Sequence, residues 1–77
     1  MRIQVLGTGC PKCKQLTANA EQAVADLALG ATVEKVEDVR EIMKFKVMST
    51  PALVVDGQVR SAGKVLSPAE VKEVLAG

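Results

Sequence analysis

The spacing of hydrophobic positions changes along the 77-residue chain, and each change marks a predicted element. The apolar run around Ile3, Val5 and Leu6 predicts a strand over residues 1–6. From Pro11 to about Leu29, apolar residues recur at spacings of three and four, which predicts a long helix with one buried stripe. The members of this stripe are Cys13, Leu16, Ala20, Val24 and Leu27. Gly30 then suits the left-handed position that ends many helices.

The middle of the chain predicts a second strand over residues 31–36 and a short second helix. Asp38 with Glu41 three residues later has the spacing of a capping box, so the helix is expected to begin there and to fade near Lys46. Its apolar face would consist of Val39, Ile42 and Met43. Met43 and Met48 are both expected to fill the core.

The last third of the chain predicts a hairpin followed by a helix. Pro51 opens an apolar strand over residues 52–55, and Asp56-Gly57 is the signature of a two-residue type I′ turn. A returning strand over residues 58–61 would pair with it antiparallel. The segment 67–70, Ser-Pro-Ala-Glu, combines an N-cap serine, proline at the first helical position and glutamate at the third. Residues Val71, Val74 and Leu75 would then face the sheet.

The resulting order, βαβαββα, predicts a single α/β domain over residues 1–77 with a central four-stranded mixed sheet flanked by helices. Hydrophobic residues make up 48% of the chain, but there is one Phe and no Trp or Tyr, which excludes aromatic stacking on single-stranded nucleic acid. The net charge of +1 comes from scattered residues, so no nucleic-acid footprint is visible. No apolar run reaches membrane-spanning length. We therefore expect a cytoplasmic monomer that binds neither nucleic acid nor membrane.

Both cysteines lie in the segment Gly9-Cys10-Pro11-Lys12-Cys13, between the first strand and the first helix. The unpaired N–H groups and the dipole of a helix N-terminus favour a thiolate over a thiol. Pro11 suits the first helical position, and Lys12 and Lys14 add positive charge. A thiol near pKa 8.5 is about 3% ionised at pH 7, and one shifted to about 7 is roughly half ionised. Cys10 is therefore predicted to be the exposed nucleophile, and Cys13, on the buried stripe, the shielded resolving thiol.

With Cys10-Pro11-Lys12-Cys13 after the first strand and Thr50-Pro51 before an apolar strand, the chain resembles the thioredoxin fold over nearly its whole length. It is most similar to the small glutaredoxin-like thioredoxins, which lack the additional N-terminal elements of full thioredoxins. The resemblance implies that Pro51 follows a cis peptide bond and lies against the cysteine pair. It also implies that the backbone of Thr50 pairs with an extended substrate. Pro11, Lys12, Thr50 and Pro51 are thus predicted to support the two cysteines.

This chain departs from the patterns of these relatives at several places, among them Pro11-Lys12, which matches neither the Gly-Pro of thioredoxins nor the Pro-Tyr of glutaredoxins. Thioredoxins carry a buried acid six residues before the first cysteine, where this chain has Gln4, which cannot act as a general base. Gly9 replaces the Trp that precedes the thioredoxin pair. The segment 61–64, Ser-Ala-Gly-Lys, replaces the glycines and acidic residues with which glutaredoxins hold glutathione.

The resulting prediction is a thiol–disulfide oxidoreductase that reduces protein disulfides through Cys10 and Cys13. It needs no bound cofactor or metal, and its electrons would come from a thioredoxin-reductase-like flavoprotein or a low-molecular-weight thiol. The alternative is a heavy-metal-associated domain, which also places Cys-x-x-Cys between its first strand and first helix and binds soft metals such as Cu(I). Those domains usually have Met where this chain has Thr8, and they lack a Thr-Pro before an apolar strand. A closed zinc site would need four ligands, and the chain has two cysteines and no histidine.

Overall fold

The elements follow the predicted βαβαββα order in a computed structural model that describes residues 1–76. The four strands are β1 (Arg2–Leu6), β2 (Thr32–Val36), β3 (Ala52–Val55) and β4 (Gln58–Ala62). The three helices are α1 (Pro11–Leu27), α2 (Val39–Lys44) and α3 (Pro68–Ala76). Within the described residues, no helix is long and apolar enough to cross a membrane.

The strands form one mixed sheet in the order β2-β1-β3-β4. The pairing of β1 with β2 is parallel, whereas β3 pairs antiparallel with both β1 and β4. Asp56 and Gly57 connect β3 to β4 with φ angles of 50° and 83°, the positive values that a type I′ turn requires at both positions. The predicted hairpin and the predicted mixed sheet are therefore confirmed.

Alternation along the two central strands divides the core into two layers. Ile3 and Val5 of β1, with Leu53 and Val55 of β3, pack against α1 and α3 on one face of the sheet. The intervening residues of the same strands pack on the other face, where Ile42 of α2 covers them. The two central strands are buried on both faces because helices cover both sides of the sheet.

Helix α1 ends earlier than the hydrophobic pattern predicts. Ala28 ends the helix in the left-handed conformation, with φ at 51°, and Gly30, two residues later, is also left-handed, with φ at 66°. The N–H of Ala28 donates to the carbonyl of Ala25 (3.1 Å) and that of Leu29 to Val24 (3.3 Å), the two bonds of a Schellman motif. Leu27, predicted to be on the buried stripe, lies at this end of the helix and is 36% exposed.

Helix α2 buries much less than predicted. Its N-cap is Asp38, as expected, whose carboxylate accepts from the N–H of Arg40 at 2.8 Å. A helix of six residues makes fewer than two turns, and Ile42 is its one buried residue. The prediction that Met43 and Met48 fill the core is wrong, since they are 67% and 98% exposed, and Val39 is also exposed.

Helix α3 begins with the predicted capping box. The backbone N–H of Ser67 donates to the Glu70 carboxylate at 3.0 Å, and the N–H of Glu70 donates to the Ser67 hydroxyl at 3.2 Å. Val71 and Leu75 are buried and Val74 is half-buried, so the apolar face of this helix is the predicted one.

Candidate active site

Cys10 is the N-cap residue of α1. Its extended backbone (φ −68°, ψ 163°) leads into Pro11 at the start of the helix, and its thiol accepts from the backbone N–H of Cys13 at 3.4 Å. Proline is favourable at this position because the first helical N–H has no partner within the helix. The helix therefore presents Cys10 at the end where its dipole favours negative charge.

The two cysteine sulfurs lie side by side, with both thiols free and 2.8 Å between Cys10 Sγ and Cys13 Sγ. The hydrogen bond from the Cys13 thiol, followed by that from the Cys13 backbone N–H, lowers the pKa of Cys10. Cys10 is half-buried, which leaves its sulfur within reach of a second molecule. This thiol has the two properties of an attacking group, ionisation and access.

Cys13 has the opposite environment. It is 5% exposed, and its burial, followed by its hydrogen bond with Cys10, raises its pKa. The same helical turn thus holds one thiol whose pKa is lowered and one whose pKa is raised.

Gly7 forms the floor beneath Cys13. A Cβ atom added at Gly7 would lie 2.2 Å from Cys13 Sγ, 3.0 Å from Cys13 Cβ and 4.0 Å from the Cα of Pro51. These distances leave no room for any side chain, so the sulfur rests directly on the main chain that follows β1. Gly7, Cys13 and Pro51 therefore meet at one point.

Pro51, the residue directly before β3, lies close to Gly7 and Cys13. The peptide bond between Thr50 and Pro51 is cis, which is the isomer that the resemblance implied. Pro51 is buried, and its carbonyl accepts from the N–H of Gly63 at 2.9 Å. Thr50 is exposed next to it.

The lysines near the pair are on the surface. Lys12 and Lys14, in the first turn of α1, are both exposed, and their charges add to the positive end of the helix. Lys12 makes no salt bridge within residues 1–76. Lys14 also lines a small cavity beside Cys13.

This cavity has a volume of about 40 Å³. Cys13 and Thr17 of α1 line one side, and Lys35 of β2 and Glu37, which follows β2, line the other. The Glu37 carboxylate lies against the turn before Cys10, since a Cβ atom placed on Gly9 would be 3.1 Å from Glu37 Oε2. The cavity thus connects the buried thiol to an acidic side chain.

Gln4 does not line this cavity. It is buried and lines a groove on the other side of the sheet, together with Phe45. Gln4 occupies the position at which thioredoxins carry an acid, but its side chain is not ionisable and does not line the cavity beside Cys13.

The sequence analysis missed two residues at this site, Gly7 and Glu37. Both follow parallel strands directly, and the N–H of Gly7 donates to the carbonyl of Val36 at 2.9 Å. Parallel strands bring their carboxyl ends to one edge of the sheet, where functional groups commonly gather. An acid directly after β2 was a signal that Glu37 would lie near the cysteines.

The pair has few other potential metal ligands around it. Among residues 1–76, no group of three or more His, Cys, Asp and Glu side chains is placed to hold a metal ion. A soft metal at this site would have two thiolate ligands from this chain, Cys10 and Cys13.

Comparison with known proteins agrees with this arrangement. A family model described as a thioredoxin domain matches residues 1–76. The chain is 38% identical over 76 residues to a thioredoxin of Methanothermobacter thermautotrophicus, with 99% of each chain covered. It is 42% identical over 73 residues to a thioredoxin of Methanocaldococcus jannaschii, with 95% of this chain and 84% of the relative covered. With the minimal thioredoxin fold of its four-stranded sheet and three helices, the chain belongs to the thioredoxin domain family.

Proposed function

We propose that the chain is a thiol–disulfide oxidoreductase that reduces protein disulfides with Cys10 and Cys13. The observation that carries the proposal is the asymmetry of the pair. Cys10 is accessible, caps the helix and has a lowered pKa, whereas Cys13 is buried 2.8 Å away with a raised one. This difference assigns the attack on substrate to Cys10 and the release of substrate to Cys13.

The reaction is two successive thiol–disulfide exchanges. The Cys10 thiolate attacks one sulfur of the substrate disulfide, forms a mixed disulfide and expels the other substrate sulfur as a thiolate. Cys13 then loses its proton and attacks Cys10 Sγ, which releases the second substrate thiolate and leaves a Cys10–Cys13 disulfide. Two electrons pass from the dithiol to the substrate, whose thiolates take up protons. One helical turn brings the sulfurs close enough for the second attack.

Thr50 and Pro51 would position the substrate. Thr50 is exposed and directly precedes Pro51, which lies close to Gly7, the glycine beneath Cys13. An extended peptide segment that paired with the Thr50 backbone would lie beside Cys10. Pro11 would fix the start of α1, and Lys12 would contribute positive charge near the attacking thiolate.

The Cys10–Cys13 disulfide must be reduced again after each turnover. We propose that this role belongs to a thioredoxin-reductase-like flavoprotein or to a low-molecular-weight thiol, and that the chain itself carries no bound cofactor. Such a cycle suits the reducing cytoplasm, where thiols are kept reduced.

Reduction of insulin tests the proposed activity directly. The protein should accelerate the precipitation of insulin when dithiothreitol, a flavoprotein reductase with its nicotinamide cofactor, or glutathione supplies electrons. Comparison of the three donors at equal protein concentration identifies the class that regenerates the dithiol. No acceleration with dithiothreitol would refute the proposed activity, because that donor needs no specific docking.

The asymmetry of the two thiols predicts selective alkylation. A brief pulse of iodoacetamide on the reduced protein at pH 6–7 should label Cys10 about tenfold or more over Cys13, because only the thiolate reacts and Cys10 has the lowered pKa. Selectivity should shrink as the pH rises, since Cys13 also ionises there. Peptide mapping by mass spectrometry measures both sites in one sample. Equal labelling at pH 6–7 would contradict the assigned roles.

A further inference from the structure

This inference rests on the proposed function, in which Cys13 must lose a proton during the second exchange. Cys13 is almost fully buried, and its surroundings favour the protonated thiol. Gln4 cannot accept a proton at physiological pH and lies on the other side of the sheet. A proton acceptor near Cys13 must therefore come from another element.

Glu37 is the carboxylate that the fold brings to this point. It follows β2 at the carboxyl edge of the sheet, and the hydrogen bond from Gly7 N–H to the Val36 carbonyl fixes the chain just before it. Its Oε2 lies against Gly9, and its side chain lines the same cavity as Cys13. The cavity, at about 40 Å³, has room for at least one water molecule. Glu37 is also exposed, so a proton it receives can pass on to solvent.

We propose that Glu37 is the proton acceptor for Cys13, acting through water in this cavity while Cys13 attacks the mixed disulfide. As the bond from Cys13 Sγ to Cys10 Sγ forms and the bond from Cys10 to substrate breaks, the Cys13 proton moves through the water to the Glu37 carboxylate. The substrate leaves as a thiolate with the electron pair of the broken bond. Glu37 then returns its proton to solvent or to that thiolate, and the electron balance of the two exchanges is unchanged.

The charges around Glu37 come from several elements. Lys14 of α1 and Lys35 of β2 line the cavity with it, and their positive charges stabilise negative charge on Cys13 as the proton leaves. Glu37 and Lys35 also border the groove lined by Gln4, where the other charged residues are Arg2, Glu34, Asp38, Glu41 and Asp56. Besides Glu37, four acidic residues and two basic ones, Arg2 and Lys35, line this groove, so its charges on balance disfavour negative charge on Cys13.

A carboxylate that accepts the Cys13 proton and one that only adds negative charge have opposite effects on the rate of the second exchange. A carboxylate that only repels would make the Cys13 thiolate less stable, so its removal would speed the second exchange. A carboxylate that accepts the proton would speed that step, so its removal would slow it. Glu37→Gln removes the charge and the basicity with little change in shape, so the direction of its effect decides between the two.

Stopped-flow reaction with equimolar 5,5′-dithiobis(2-nitrobenzoate) separates the two exchanges. The attack by Cys10 releases the first nitrothiobenzoate, and the attack by Cys13 on the resulting mixed disulfide releases the second. Near pH 7, Glu37→Gln should slow the second release about tenfold and change the rate of the first release by no more than about twofold. The expected slowing is smaller than that usual for loss of a general base because a water molecule lies between Glu37 and Cys13. This deficit should vanish at high pH, where hydroxide deprotonates Cys13. Glu37→Asp should recover part of the rate, since it keeps a carboxylate.

Glu41→Gln is the matched control, because it removes the same charge from a residue that borders the groove but not the cavity. It should leave both releases unchanged. An unchanged or faster second release in Glu37→Gln, or equal slowing of both releases, would overturn the role of Glu37. If Glu37→Gln does not fold, Glu37→Ala, which also lacks the carboxylate, takes its place, and a second release as fast as in the unmodified protein would likewise overturn the role of Glu37. If the unmodified protein released no second nitrothiobenzoate, the proposed function itself would fail.

Discussion

Cys13→Ser is expected to form stable mixed disulfides with its substrates, whereas Cys10→Ser is expected to form almost none. The first variant keeps the accessible thiol with the lowered pKa but lacks the sulfur that would attack Cys10 Sγ and release the substrate. The second variant keeps only a buried thiol, which an extended substrate cannot reach. Both variants should lose insulin reduction to the background rate of the external donor.

The trapped species can be isolated from a lysate prepared without added reductant. Affinity-tagged Cys13→Ser should retain proteins that dithiothreitol then releases, and non-reducing electrophoresis should show the adducts. A variant with both cysteines replaced by serine is the matched control for proteins that bind without a disulfide. Purified oxidised insulin provides a defined substrate, with which Cys13→Ser should give an adduct of the mass expected for one mixed disulfide.

The same variants distinguish an oxidoreductase from a metal carrier. A carrier that held Cu(I) between the two thiolates would lose one of two ligands in either variant, so both would lose metal binding alike and neither would trap a protein. Equal behaviour of Cys10→Ser and Cys13→Ser, with no adduct, would therefore overturn the oxidoreductase assignment.

Local signals in the sequence predict most of the fold. The Ser67–Glu70 capping box and the Asp56-Gly57 turn depend on residues within a few positions, and both occur as predicted. The apolar run of β3 and the stripe of α1 reflect burial on a regular element, and that signal is also local. The order of elements follows from these pieces.

The predictions that fail, for the end of α1 and for two methionines, concern features that tertiary structure sets and local preference does not. Glycine tolerates the left-handed conformation more easily than alanine, and Gly30 does adopt it, yet helix α1 already ends at Ala28, which is left-handed as well. Met43 is apolar, but α2 is too short to bring more than Ile42 to the sheet, and Met48 lies beyond the helix in the exposed loop before Pro51. Neither the direction of the connection nor the length of sheet that a helix covers can be inferred from the spacing of apolar residues.

In the candidate site, too, some features follow from the local sequence and others depend on the tertiary structure. The position of Cys10 at the helix start and the burial of Cys13 follow from their place in the α1 pattern. The contact of Cys13 with Gly7, and the place of Glu37 beside their cavity, depend on which strands are neighbours and in which direction they run. Strand order is a property of the whole chain, which is why the motif predicts the two thiols but not the groups that surround them.

The contact between Gly7 and Cys13 leads to the prediction that Gly7→Ala disables the site and destabilises the fold. Gly7 has no positive φ, so alanine there meets no backbone strain. Without a clash, replacement of glycine by alanine would stabilise the protein by about 0.4–1 kcal/mol, because the unfolded chain loses freedom. The new Cβ would instead lie 2.2 Å from Cys13 Sγ, and the displacement it forces should lower the free energy of unfolding by about 1–3 kcal/mol. The sign of the change therefore tests the contact.

Urea unfolding of four proteins measures this clash as a double-mutant cycle. These are the unmodified chain, Gly7→Ala, Cys13→Ala and the double variant, all kept reduced. Cys13→Ala removes the sulfur, so Gly7→Ala should cost about 1 kcal/mol less in that background; the remaining cost reflects the Cys13 Cβ, which would still lie 3.0 Å away. The single variant Gly7→Ala should also reduce insulin more slowly, because a displaced Cys13 Sγ no longer lies in line to attack Cys10. A Gly7→Ala variant as stable and as active as the unmodified protein would show that Cys13 does not rest on Gly7.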